Sequence, residues 1–153
     1  MNLSRMRSFC VVVALLALSA CATVKPPTLQ VQHLGKGRLG LTGAKLDVEF
    51  SLRNPNKEDV IIERVEYELL LNGRSLGRGF VSDTVRVAGF GEQRIVSVFD
   101  VNLLRLPGAI KEIFDRDRVA ARAHGDFYMR KGEGNRLQKV GFDSTAQTRF
   151  NDR

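Results

Sequence analysis

The stretch from Lys45 to Arg53 alternates without a fault: Leu46, Val48, Phe50 and Leu52 are apolar, and Asp47, Glu49, Ser51 and Arg53 between them are polar. Successive side chains of a strand point to opposite faces, so this period puts one face in a core and the other in water. A helix cannot sort these residues that way. A chain carrying several such segments is committed to sheets buried on one side, and a half-buried sheet needs a second layer over its apolar face.

The period recurs along the chain. Ile61, Val65, Tyr67, Leu69 and Leu71 are expected inward against Arg64, Glu66 and Glu68 outward, with Glu63 interrupting the inner row. Asn72 and Gly73 then accept the positive φ angles of a type I′ turn, the strongest hairpin signal in the sequence. Val81, Val85 and Val87 alternate with Ser82, Thr84 and Arg86, a glycine-rich break runs from Ala88 to Gly91, and a further strand is expected from Arg94 to Val101. From Val119 to Met129, Val119, Ala121, Ala123, Phe127 and Met129 share one face, and Arg122, His124, Asp126 and Tyr128 the other. Leu29 to Leu34 and Gln138 to Ser144 are less regular candidates for a first and a last strand. The expectation is an all-β, immunoglobulin- or fibronectin III-like antiparallel β-sandwich of about seven strands. One short helix interrupts it, from about Pro107 to Asp115, because Pro107 suits a first turn and Ile110, Ile113 and Phe114 form a helical stripe.

The N-terminus reads as an address. Arg5 and Arg7 precede an apolar run from Phe9 to Leu18 that ends in the small residues Ser19 and Ala20, the order of a secretory leader. The run is about half the ~20 residues that a membrane span requires. Leu18, Ser19, Ala20 and Cys21 resemble the bacterial lipobox, in which the cysteine is acylated and becomes the mature N-terminus. The alternative is ordinary cleavage after Ala22, with Ala20 and Ala22 as the small pair. On the lipobox reading, residues 1–20 are the leader, 21–28 a lipidated tether and 29–150 the domain. Ala22 beside the cysteine implies sorting to the periplasmic face of the outer membrane. Cys10 would leave with the leader and Cys21 would carry lipid, so neither of the 2 cysteines remains for a disulfide.

Composition supports one folded domain. The 153 residues are 43% hydrophobic with 14 Gly and 4 Pro, which fits neither disorder nor collagen. The net charge of +7 is basic enough to raise the question of nucleic acid. Export argues against it, and acids are interleaved with the bases, as in Asp115, Arg116, Asp117 and Arg118. The densest basic group, Arg130, Lys131, Arg136 and Lys139, is a candidate contact for anionic lipid head groups, with a charged hairpin as the plain alternative.

Chemistry-bearing motifs are few. Gly35, Gly37 and Gly40 spell a dinucleotide-binding fingerprint, but a strand follows where that motif needs a helix. His33 and His124 are the only histidines, with no carboxylate at metal spacing, and His124 falls on the polar face of its strand. No spacing selects an acid-base pair among Asp100, Asp115, Asp117 and Asp126. Neither a metal, a cofactor nor a catalytic residue is expected. Asn54, Pro55 and Asn56 stand where the first alternating strand stops, and they have the local physics of a turn.

The run Leu46 to Asn56, followed by Val65 to Gly73 and then Gly79, resembles the WHy domain, the water stress and hypersensitive response domain of the folded late embryogenesis abundant proteins. The likeness extends over roughly residues 29–142. It implies a fibronectin-like or immunoglobulin-like sandwich with one helix, an association with desiccation and cold, and no enzymatic activity. Three function classes follow. The first is a membrane-anchored periplasmic lipoprotein with a non-enzymatic stress-protective or interaction domain, its partners being the membrane through the N-terminal lipid and envelope protein or lipid clients. The second is a carrier of an apolar ligand, for which Ala120, Ala121, Ala123 and Gly125 would leave room between the sheets. An enzyme is the third.

Overall fold

The computed structural model describes residues 25–39, 43–102 and 118–149. The leader, the lipobox with Cys21 and the helix expected over 107–115 lie outside the described residues.

Among the described residues there are eight strands: β1 Thr28–Leu39, β2 Gly43–Arg53, β3 Val60–Leu71, β4 Arg74–Val81, β5 Val85–Val87, β6 Glu92–Asn102, β7 Arg118–Lys131 and β8 Gln138–Arg149. They form a three-stranded sheet in the order β1-β2-β6 and a five-stranded sheet in the order β4-β3-β7-β8, with β5 on β3 beyond the end of β4. Every pairing is antiparallel. The expected β-sandwich is the observed fold.

The alternating residues do what their period requires. Leu46, Val48, Phe50 and Leu52 of β2 are buried beside Ile95, Phe99 and Val101 of β6, and they face Val65, Tyr67, Leu69 and Phe127 of the larger sheet. Burying side chains of this size stabilises by ~1.5–3 kcal/mol each, so the inner rows are the main cohesive element. Aromatic rings fill the middle: Phe50 meets Tyr67 edge-on at 5.0 Å between centroids and Phe142 at 6.2 Å, and Phe127 lies 6.4 Å from Phe142.

Three details differ from the sequence reading. Ile62 and not Ile61 belongs to the inner row, because β3 carries a bulge between Ile62 and Arg64 in its pairing with β7. A bulge adds one residue and reverses the parity, so Glu63 leaves the core row intact. Val81 closes β4 against Val65, while Val85–Val87 is a separate strand on Ile62 to Val60, so the expected single strand is two pieces on the same edge of β3. β1 runs through Gly35 and Gly37 as a strand, and β2 begins at Gly43. The Asn72-Gly73 turn is as expected, with φ of 48° and 79°.

Candidate functional site

The strand order gathers four segments at one end of the sandwich: the entering chain at Lys25, the β2–β3 loop, the β5–β6 loop and the turn between β7 and β8. Asn54 lies at their centre and is 1% exposed. Its side-chain oxygen accepts from the Asn56 backbone at 3.0 Å and from Asn56 Nδ2 at 3.1 Å, closing the turn over Pro55. Its Nδ2 donates to Glu58 O at 2.8 Å, to Ala88 O at 3.1 Å and, more weakly, to Val87 O at 3.4 Å. Its backbone N–H donates to Gly91 O at 2.9 Å. Both loops cross between the sheets, so this one amide ties the two crossovers together. An apolar residue here would leave the Asn56 N–H and the Glu58 and Ala88 carbonyls without this partner, at ~1–3 kcal/mol for each group left buried and unsatisfied.

Asn56 and Asp59 extend the clamp. Asn56 O accepts from Phe90 N–H at 2.8 Å, and Asn56 Nδ2 donates to Lys25 O at 2.8 Å. Asp59 accepts from Gly89 N–H at 3.0 Å and pairs with Arg86 at 2.7 Å. The Arg86 hydrogen bond, then the Gly89 N–H, hold the Asp59 carboxyl below its ordinary pKa. Gly89 is required by close approach, since a Cβ there would overlap the Lys57 carbonyl oxygen. The clamp positions one conspicuous side chain: Phe90 has φ of 55° and is 71% exposed. The residues of the Asn-Pro-Asn turn were legible in the sequence, but their partners more than thirty residues away were not.

The other sequence candidates fall elsewhere. Asn72 and Gly73 cap the opposite end, where Asn72 N–H donates to Ala120 O at 2.9 Å and Asn72 Oδ1 accepts from Ala120 N–H at 3.0 Å. The basic group does not act as one cluster: Arg130 bonds Glu63 and Lys139 bonds Asp126 at 2.9 Å, while Lys131 and Arg136 lie at the β7–β8 turn. The Asp126 hydrogen bond raises the Lys139 pKa. His33 approaches Thr148 Oγ1 at 3.3 Å between β1 and β8, and His124 faces Glu68 at 3.4 Å on the outside of the larger sheet, so the structure does not bring the histidines together.

That outer face is a lattice of opposite charges. Arg122 pairs with Asp143, and Arg64 pairs with Glu66 at 3.1 Å while stacking 4.0 Å above the Tyr128 ring. A shallow cleft of about 550 Å³ lies between Glu66, Glu68, Arg78, Phe80, His124 and Asp126. Its carboxylates already have partners: Glu66 has Arg64, Glu68 has His124 and Ser75, and Asp126 has Lys139. Among the described residues no group of three His, Cys, Asp or Glu is placed to hold a metal ion. Asp100 pairs with Lys45 at 3.3 Å, and Asp115 and Asp117 lie outside the described residues. The arrangement offers surface contact and hydration, with no poised acid, base or nucleophile among these groups.

Residues 49–137 match the profile of the late embryogenesis abundant proteins. A solution structure from Arabidopsis thaliana is similar with a TM-score of 0.64 at 12% identity, covering 88% of this chain and 90% of that one. A solution structure described as a candidate late embryogenesis abundant protein gives 0.53 at 13% identity, over 96% of this chain and 84% of that one. A crystal structure of an Archaeoglobus fulgidus protein gives 0.50 at 12% identity, over 84% and 98%. No curated protein matches the sequence. At such identities the structural likenesses establish a shared fold and nothing finer.

Proposed function

From the premise that this chain belongs to the late embryogenesis abundant protein family, we propose that it is a bacterial lipoprotein whose domain is of the WHy type, non-enzymatic and protective under water stress. Acylation of Cys21 holds it at the periplasmic face of the outer membrane. Its partners are the membrane through that lipid and envelope clients exposed by stress; nucleic acid is not among them.

The observation that carries this reading is β6. This 11-residue strand ends the three-stranded sheet, pairs with β2 alone among the described strands, and turns Val96 and Val98 outward at 52% and 56% exposure. An edge strand that no other described strand pairs on its outer side, with outward valines, can take an extended segment of a partly unfolded client as an added strand. The ion-paired outer face of the larger sheet stays hydrated meanwhile. A carrier of an apolar ligand would need room between the sheets, and the described interior is filled by Phe50, Tyr67, Phe99, Phe127 and Phe142.

Deletion of the gene is expected to lower survival of desiccation, and the wild-type chain to restore it. A Cys21→Ser chain should not restore it. Unchanged survival on deletion refutes the protective role, and full rescue by Cys21→Ser refutes the tether.

A further inference from the structure

We propose that Phe90 is a membrane-interface anchor, seating the clamped end of the sandwich against the anionic bilayer that holds the chain's own lipid. This rests on the lipoprotein reading above.

The first observation is strain combined with exposure. Phe90 holds φ of 55° and is 71% exposed. A non-glycine residue in the left-handed region costs roughly 1–2 kcal/mol, and a bare aromatic ring gains nothing in water. Folding alone would favour Gly or Asn here. The conformation is nevertheless fixed, by Phe90 N–H to Asn56 O, Gly91 N–H to Ala88 O at 2.9 Å and Gly89 N–H to Asp59. The fold holds the ring outward on a rigid turn.

The second observation is where the chain enters. Asn56 bonds both Phe90 and Lys25. Cys21 precedes Lys25 by only a few residues, and an extended chain covers at most ~3.3–3.6 Å per residue, so the acylated sulfur stays within roughly 15 Å of Lys25. The end that carries Phe90 is therefore the end that the lipid brings to the membrane.

Charge supplies the third. Lys25, Lys57, Lys131 and Arg136 lie at this end without an ion pair among the described residues, against the acids Glu58, Glu92 and Glu133. Cations at an anionic surface contribute ~1 kcal/mol each, and an aromatic ring favours the boundary between head groups and acyl chains. Leu137, 51% exposed, lies at the same end in the β7–β8 turn, whereas Phe80, exposed at 73%, sits on β4 on the outer face of the larger sheet.

The sequence contains 0 Trp, so Phe90→Trp makes a unique fluorescent reporter in a residue of similar shape. The mature acylated chain carrying it, beginning at Cys21, is reconstituted in vesicles of phosphatidylethanolamine and phosphatidylglycerol. Its emission is expected to shift to the blue and to be quenched by lipids brominated on their acyl chains, while a Phe80→Trp chain keeps a water-like spectrum. The shift should shrink in vesicles of phosphatidylcholine alone. A chain that floats with the vesicles but keeps Trp emission at position 90 water-like overturns the inference and leaves the lipid tether standing. A chain that does not float overturns both. An equal shift in phosphatidylcholine removes the role given to the cations, and equal shifts at positions 80 and 90 overturn the end-on orientation.

Discussion

Along the seam between β1 and β8 the two sheets are joined by hydroxyl groups bonded to backbone, whereas along the seam between β4 and β6 they are joined by aromatic rings lying on glycine. At the first seam, Val31 N–H donates to Ser144 Oγ at 3.0 Å and Leu34 N–H to Thr148 Oγ1 at 3.3 Å. Side chains of β8 thus take the backbone groups that an edge strand would otherwise expose. At the second, Tyr67 reaches across to donate to Ser97 Oγ at 2.8 Å, and the Phe99 ring lies 6.1 Å from that of Tyr67. Gly77 and Gly79 of β4 lie beneath these rings. This closure works through side chains in the interior, and among the described strands none pairs with the outer edge of β6. Two edges of one sheet are managed differently within the described residues, and the second is the one assigned to client capture.

The largest effect is expected at the ring seam. A Cβ on Gly79 would stand 2.5 Å from Tyr67 Cζ and 2.8 Å from Phe99 Cδ2. The Tyr67 ring is pinned by its bond to Ser97, so Gly79→Ala must displace the ring and break that bond. Overpacking costs ~1–3 kcal/mol and the lost bond ~1 kcal/mol, for a destabilisation of about 3 kcal/mol in chemical denaturation. A loss below about 1 kcal/mol would mean that the seam is looser than its geometry, and would weaken the comparison.

Tyr67→Phe is expected to cost ~1–2 kcal/mol at neutral pH, since it leaves the Ser97 hydroxyl buried without its donor. It also has a signature in pH. Burial, outweighing the opposing Ser97 bond, pushes the Tyr67 hydroxyl up from 10.0 to about 12. The folded state therefore resists ionisation. Its stability is undiminished well below pH 10, falls as the unfolded chain ionises, and by pH 12 has lost about 2 kcal/mol, at ~1.4 kcal/mol for each pH unit between the unfolded and folded values. The stability difference between wild type and Tyr67→Phe should shrink or reverse across that window. A difference that stays constant from pH 9 to 12 would show that Tyr67 is not buried as described.

Thr148→Val tests the hydroxyl seam with little change of shape. It leaves Leu34 N–H buried without an acceptor, at a cost of about 1 kcal/mol. Hydrogen exchange should speed up at Leu34 and stay unchanged at Phe99. Equal acceleration at both residues would show that the seams are one cooperative joint and not two.

Particular residues explain how much of this was legible beforehand. The faces of β2, β6 and β7 follow from period 2 alone, because each position there depends only on its neighbours in the chain. The bulge at Glu63 showed only as a fault in the inner row, and the phase before it was misassigned to Ile61 because a bulge breaks the very period on which the reading depends. Both seams did leave a trace: Ser97 stands in the inward row of Ile95, Phe99 and Val101, and Ser144 and Thr148 in that of Phe142 and Ala146. A polar residue in an apolar row needs an internal partner, and sequence alone names neither the partner nor the distance. Asn54 has the same limit, for its turn is local and its clamp is not. Phe90 gave no signal, since the strain that singles it out is a backbone angle.

The smallest effect belongs to the outside of the hydroxyl seam, where Asp143 of β8 pairs with Arg122 at side-chain exposures of 51% and 53%. Water screens such a pair, so Asp143→Asn should barely change stability at neutral pH. Its direction with pH is nevertheless defined. The Arg122 hydrogen bond, more than the opposing desolvation, lowers the Asp143 pKa below its ordinary 3.8. The folded state then prefers the carboxylate. The pair's contribution is present above the unfolded value and disappears as pH falls through the lower folded one. The pair that joins β7 to β8 is therefore weakened by acid on the outer face of the larger sheet, and the ring seam by alkali in its interior. Urea titrations of wild type and Asp143→Asn should converge on acidification and on addition of salt. A gap that fails to narrow as the pH falls, or one that widens with salt, would show that Asp143 acts through something other than its charge.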